Sequence, residues 1–144
     1  MAKINEALEL IASYEEKFRN KDLPKFEISE LYTLFPKENH EGIAWPSSFP
    51  YGNRAGVYFI LDVSMNILYI GKSSKSIGSR LSKYFGYLED KISCLIKDPE
   101  WTSKPHFILT VAVPKEYPFE AASLEEYALF YIPTPDNYNL LKNR

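Results

Sequence analysis

The sequence GVYFIL at residues 56–61 is followed closely by ILYIG at residues 67–71. Both runs are rich in β-branched and aromatic residues, which favour strands. The few polar residues between them are typical of a tight connection. These two runs therefore predict an antiparallel β-hairpin.

The register of this hairpin depends on the length of its connection. A four-residue connection, residues 62–65, pairs Leu61 with Asn66 and places Tyr58 directly across from Tyr69. One face is then wholly apolar: Val57, Phe59, Leu61, Leu68 and Ile70. A five-residue connection would instead place the two tyrosines on opposite faces. We expect the four-residue form, with the tyrosines together on the face opposite the core.

Outside the hairpin, apolar spacing predicts one further strand, residues 107–113, and several helices. The predicted helices are residues 3–19, a short segment ending at Phe35, residues 76–86, 88–96 and 120–131. Ser29 is the expected cap of the short helix. The pattern predicts an α+β fold: a small three-stranded antiparallel sheet flanked by helices, with an N-terminal helical extension.

Loop-forming residues lie just before the hairpin, at Pro46, Pro50, Gly52 and Asn53. They predict a division into a helical extension with linker, residues 1–53, and a domain at residues 54–144. The extension lacks basic clusters and zinc-binding features, so we expect it either to pack on the domain or to provide a protein-partner or dimer contact through residues 1–50.

The composition of the 144-residue chain is that of a globular protein, with 45% hydrophobic and 25% charged residues. Its single cysteine, Cys94, excludes a disulfide framework. No apolar run is long enough to span a membrane, and acidic residues interrupt the N-terminus where a signal peptide would be apolar. We expect a cytoplasmic protein with no membrane association.

The net charge is −2, but residues 71–97 hold six cations against two acids. A local basic strip on an acidic protein suits brief contact with a polyanion. The sequence Gly71-Lys72-Ser73 within this strip looks like the end of a phosphate-binding P-loop. That motif needs a glycine at position 66, where the chain has asparagine, so a P-loop nucleotide site is excluded.

Five sequence elements together resemble the GIY-YIG nuclease superfamily. They are Gly56-Val57-Tyr58, Tyr69-Ile70-Gly71-Lys72-Ser73, the helix pair Arg80 and Tyr84, an acid on the last helix, and a late asparagine. Val57 replaces the isoleucine of the first motif. The resemblance covers about residues 55–139 and leaves residues 1–50 unexplained.

This resemblance implies that Tyr58 and Tyr69 border the scissile phosphate. Tyr58 would help to deprotonate the attacking water, which requires a nearby cation because a free tyrosine titrates near ~10. Gly71 and Lys72 would contact phosphate. Asn139 matches the late asparagine, which braces the site or contacts the phosphate, and Asn137 is the alternative.

Arg80 and Tyr84 are four residues apart and would share one helix face. The resemblance implies that Arg80 neutralises charge on the phosphate, a role suited to a planar guanidinium. Helical spacing places Glu125 on the apolar face of the last helix, whereas Glu126 points about 100° away. A carboxylate on an apolar face is costly unless it is paired or bound to metal. Glu125 is therefore the expected ligand of a single Mg²⁺ or Mn²⁺, with Glu126 as the alternative.

The resemblance thus implies a metal-dependent endonuclease that hydrolyses phosphodiester bonds in nucleic acid, with DNA favoured over RNA. The alternative is a non-catalytic nucleic-acid- or protein-binding module of the same fold, since a fold alone does not fix a function.

Overall fold

The computed structural model describes residues 2–38, 43–44, 49–90, 94–97 and 100–137. Its helices are α1 (Ile4–Phe18), α2 (Ile77–Leu81) and α3 (Glu120–Tyr131). Its strands are β1 (Glu27–Ile28), β2 (Tyr32–Thr33), β3 (Ile43–Ala44), β4 (Gly56–Leu61), β5 (Ile67–Ser73), β6 (Phe85–Tyr87), β7 (Cys94–Ile96) and β8 (Phe107–Ala112). None of the helices in these ranges is long and apolar enough to cross a membrane.

The predicted α+β fold is confirmed, but its sheet is larger than the expected three strands. Six of the described strands form the main sheet. Five of them follow the order β3-β2-β8-β4-β5, and β1 also pairs with β8. β4, β5 and β8 are the three predicted strands, and they pair antiparallel. The pairing of β2 with β3 is parallel. The extra strands all come from residues before 54, so this segment shares one sheet with the hairpin.

The predicted short helix ending at Phe35 is wrong, because this segment contains β1 and β2. Ser29, the expected cap, lies between the two strands and bonds Thr110 of β8 instead. Its backbone N–H donates to the Thr110 carbonyl, and its hydroxyl accepts from the Thr110 N–H at 2.9 Å. Pairing with a distant strand thus replaces the local capping that the sequence suggested.

The predicted helices at residues 76–86 and 88–96 are also corrected. α2 spans only Ile77–Leu81, and the second segment contains the strand β7, which pairs antiparallel with β6. Phe85 is 1% exposed and pairs with Ile96. A small second sheet therefore buries this aromatic side chain in place of a continued helix.

The predicted hairpin register is wrong, but the tyrosines still share a face. Leu61 pairs with Ile67, whereas Ile60 pairs with Tyr69, so Leu68 is an extra residue in a β-bulge. The connection is therefore the five-residue form, which alone would separate Tyr58 from Tyr69. The bulge shifts the register by one residue and returns both tyrosines to one side.

The two faces of the hairpin pack into different clusters. The side that we call the core face carries Val57, Phe59 and Ile70, and packs against α1 and α3. The side that we call the tyrosine face carries Tyr58, Ile60 and Tyr69, and is covered by α2 and the β6–β7 sheet. The division of the chain at residue 54 stays a prediction.

Candidate active site

The two motif glycines are required by close packing. A Cβ on Gly56 would lie 2.0 Å from the carbonyl oxygen of Val111 on β8. A Cβ on Gly71 would lie 2.3 Å from Cζ of Tyr58, because Gly71 pairs directly with Tyr58 across the hairpin. The ring of Tyr58 thus lies over Gly71, and both glycines help to fix the tyrosine face.

Three of the predicted site residues meet on the tyrosine face. The ring centroids of Tyr58 and Tyr69 are 6.1 Å apart, and those of Tyr69 and Tyr84 are 5.7 Å apart. The Tyr84 hydroxyl donates to the Tyr69 hydroxyl at 3.3 Å. Tyr58 and Tyr69 are fully buried, whereas Tyr84 is half-buried. The cluster therefore reaches solvent on the Tyr84 side.

The hydroxyl of Tyr58 is also influenced by Arg80. Burial raises the pKa of Tyr58 well above its ordinary value, and the neighbouring Tyr84 and Tyr69 raise that pKa further. The Arg80 guanidinium, close to this hydroxyl, acts in the opposite direction. Tyr58 therefore holds its proton at neutral pH.

The position of Arg80 is set by the start of its helix. The Ser76 side chain caps α2 by accepting from the Ser79 N–H, and it donates to the Gly52 carbonyl at 2.7 Å. The Ile77 N–H donates to the Arg54 carbonyl at 2.9 Å. These bonds tie α2 to the segment before β4, which places Arg80 above Tyr58.

Glu125 and Glu126 have different surroundings, as helical spacing predicts. Glu125 is 5% exposed and lies on the buried side of α3, next to Leu124, whereas Glu126 is exposed. α3 packs on β4 and β5 from the core face. Of these two residues, Glu125 is thus the one whose carboxylate the fold removes from water.

The late asparagine that the structure describes supports the edge of the sheet. β5 is an outer strand, and Asn137 bonds the backbone of its Ile70. The Asn137 side chain accepts from the Ile70 N–H at 2.9 Å and donates to the Ile70 carbonyl at 2.7 Å. Asn137 therefore braces the strand that carries Tyr69. Asn139 lies outside the described residues, so its predicted phosphate contact stays a prediction.

Trp101, which had no predicted role, joins the tyrosine cluster. Its ring lies 5.9 Å from Tyr84 and 6.1 Å from Tyr69, nearly perpendicular to the latter. The next residue is fixed because the Thr102 N–H and hydroxyl both donate to Asp136. Trp101 follows the loop-forming residue Pro99, and no pattern in the neighbouring sequence assigns it to this cluster.

Comparison with known protein families finds a match. A family model described as the GIY-YIG catalytic domain matches residues 54–129, just over half of the chain. The match contains the hairpin, α2, β8 and nearly all of α3. No curated protein and no solved structure shows a significant match.

Proposed function

The chain belongs to the GIY-YIG family of endonuclease catalytic domains, and we propose that it is a metal-dependent endonuclease that hydrolyses phosphodiester bonds, with DNA as the expected substrate. The observation that carries this proposal is the convergence of Tyr58, Tyr69 and Tyr84 beside Arg80. Packing alone does not require three hydroxyl groups and a guanidinium at one place. A phosphate under attack by water uses both kinds of group.

Arg80 is proposed to bind the scissile phosphate. As water attacks phosphorus in line, the bond to the leaving oxygen breaks and negative charge spreads over the remaining phosphate oxygens. A guanidinium remains charged at every working pH and matches this planar array of acceptors. Because α2 is tied to the chain before β4, this charge is in place before substrate arrives, which lowers the cost of reorganisation.

The tyrosines are proposed to orient the water and the phosphate. Tyr58 is protonated at neutral pH because burial raises its pKa, so it enters this mechanism as a hydrogen-bond donor. A base role for Tyr58 would require further positive charge from bound metal to reverse that rise. Tyr84 and Tyr69 share a hydrogen bond and extend the polar surface toward solvent. Gly71 and Lys72 stay predicted phosphate contacts.

The proposed metal would be held by few protein ligands. Among the described residues, no cluster of three or more His, Cys, Asp and Glu side chains is placed to enclose an ion. Mg²⁺ commonly binds through one or two carboxylates together with waters and substrate phosphates, and Mn²⁺ accepts similar oxygen ligands. Glu125 would hold the ion, which when bound would stabilise negative charge on the phosphate.

The test is cleavage of labelled DNA and RNA, branched forms included, with Mg²⁺, Mn²⁺ or EDTA. Glu125→Gln removes the proposed ligand charge, and Glu126→Gln is its matched control on the same helix. We expect metal-dependent cutting that Glu125→Gln reduces by at least about 10²-fold, with Glu126→Gln close to wild type. Cutting that is lost only in Glu126→Gln would identify Glu126, and not Glu125, as the metal ligand. Nucleic-acid binding without any cutting would favour the non-catalytic module.

A further inference from the structure

A basic cavity lies at the end of the hairpin that is remote from its turn. It has a volume of about 420 Å³, and its polar wall includes Asn53, Arg54, Ser74, Lys75 and Lys115. Lys75 and Lys115 are exposed. Of the residues that the structure describes as its lining, none is a carboxylate. Three cations and two neutral hydrogen-bonding side chains on one wall are suited to an anion.

Arg54 is held in place within this wall. Its Nη2 donates to the Val113 carbonyl at 2.9 Å, and its Nη1 contacts Glu27 at 3.1 Å. The Arg54 side chain is 14% exposed, whereas the Glu27 side chain is 53% exposed. Since an exposed ion pair contributes little, Glu27 competes weakly with a phosphate for this guanidinium.

The cavity is connected to the tyrosine face through the backbone. Ser74 and Lys75 lie between β5 and α2, directly after the strand that carries Tyr69. The Arg54 carbonyl accepts the Ile77 N–H at the start of the helix that carries Arg80. One continuous stretch of chain therefore joins the cavity wall to the proposed phosphate site.

A second cavity provides a contrast. It is lined by two carboxylates, Glu15 and Glu16, as well as by Lys21 and Lys25. Its arginine, Arg19, is already engaged by two short bonds to Glu120, each 2.7 Å. Cations there are balanced by acids, so an anion has no preference for this cavity.

On the basis of the proposed function, we propose that the cavity formed by Arg54, Lys75 and Lys115 binds a phosphate of the nucleic-acid strand away from the scissile bond. The two phosphate sites would fix the direction of the strand across the tyrosine face. Such contacts carry affinity and register but no sequence preference.

The test compares two double variants with the same loss of charge. Lys75→Ala/Lys115→Ala removes the two exposed lysines from the cavity wall. The control, Lys21→Ala/Lys25→Ala, removes two exposed lysines from the second cavity. Binding of a DNA duplex without terminal phosphates is measured by fluorescence anisotropy in EDTA, so no cleavage occurs. Thermal unfolding of each variant is measured on the same samples.

We expect the cavity variant to bind about tenfold more weakly than the control variant at low salt. The slope of log K against log salt should fall by about 0.9 in magnitude, because the cavity contacts one phosphate of the duplex. Equal affinities and slopes in the two double variants would overturn the inference, as would a wild type that binds no duplex. A third outcome is also informative: the wild type binds the duplex, the cavity variant binds it more weakly, and the wild type cuts nothing in Mg²⁺. That outcome would uphold the phosphate site in the cavity and refute the proposed nuclease activity.

Discussion

The two faces of the hairpin are both largely buried, but only one of them buries hydroxyl groups. The core face packs Val57 and Phe59 against residues of α1 and α3. The tyrosine face buries Tyr58 and Tyr69 completely. Burying a hydroxyl group costs free energy unless it is hydrogen-bonded. Stability therefore accounts for the first face, whereas the second contains polar groups that stability alone does not require.

The largest expected effect is on the core face. Phe59→Ala should lower the free energy of unfolding by about 3–5 kcal/mol, because it removes a fully buried ring and leaves a cavity. Tyr58→Phe, one residue away on the other face, removes only a hydroxyl and should cost about 1 kcal/mol or less. Urea unfolding measures both. Similar losses in the two variants would break the distinction between the faces.

The contact between Gly71 and Tyr58 gives a smaller effect on the tyrosine face. Gly71→Ala should cost about 1–3 kcal/mol, because the new methyl group meets a buried ring that has no room to move. Gly86→Ala is the matched control, since its Cβ would lie 3.1 Å from the flexible end of Lys97.

Thermal unfolding of both glycine variants checks this prediction. A Gly71→Ala protein as stable as the Gly86→Ala protein would show that Tyr58 is not held against Gly71. The expected loss in Gly71→Ala alone would instead confirm that the motif glycine serves the packing of the tyrosine.

The smallest expected effect concerns the thiol of Cys94, which packs against the tyrosine face. Burial raises the pKa of Cys94 to about 12, with partial opposition from a backbone hydrogen bond of Gly86. The native thiol should therefore stay protonated and unreactive toward a disulfide reagent at pH 8, since the thiolate is the nucleophile. In guanidinium chloride it should react at the rate of a free thiol. Rapid reaction of the native protein would show that this face opens readily.

Local patterns in the sequence predicted the elements whose partners lie nearby. The alternation in residues 56–61 and 67–71 predicted the hairpin, and helical spacing in α3 distinguished buried Glu125 from exposed Glu126. Each of these patterns depends on neighbours within one turn or one strand. The common face of the tyrosines was also predicted correctly, although from a register that proved wrong.

Features that depend on distant contacts were not predictable in this way. Nothing local marks Leu68 as the bulged residue, because the bulge appears only when β4 and β5 are paired. β1 and β2 form because β8 offers a free edge, which overrides the capping signal at Ser29. The bonds of Asn137 to Ile70 were likewise not predictable, because they connect residues far apart in the chain.

Two variants separate catalysis from packing when cleavage rate and stability are measured on the same samples. Arg80→Ala should lower the single-turnover cleavage rate by about 10²–10³-fold. It should lower the free energy of unfolding by about 1–3 kcal/mol, because the buried Tyr58 hydroxyl loses a charged neighbour. Phe59→Leu should lower stability by about 1 kcal/mol or more, with a cleavage rate near that of wild type. An Arg80→Ala protein that cuts as fast as wild type would contradict the claim that the tyrosine face is the active site.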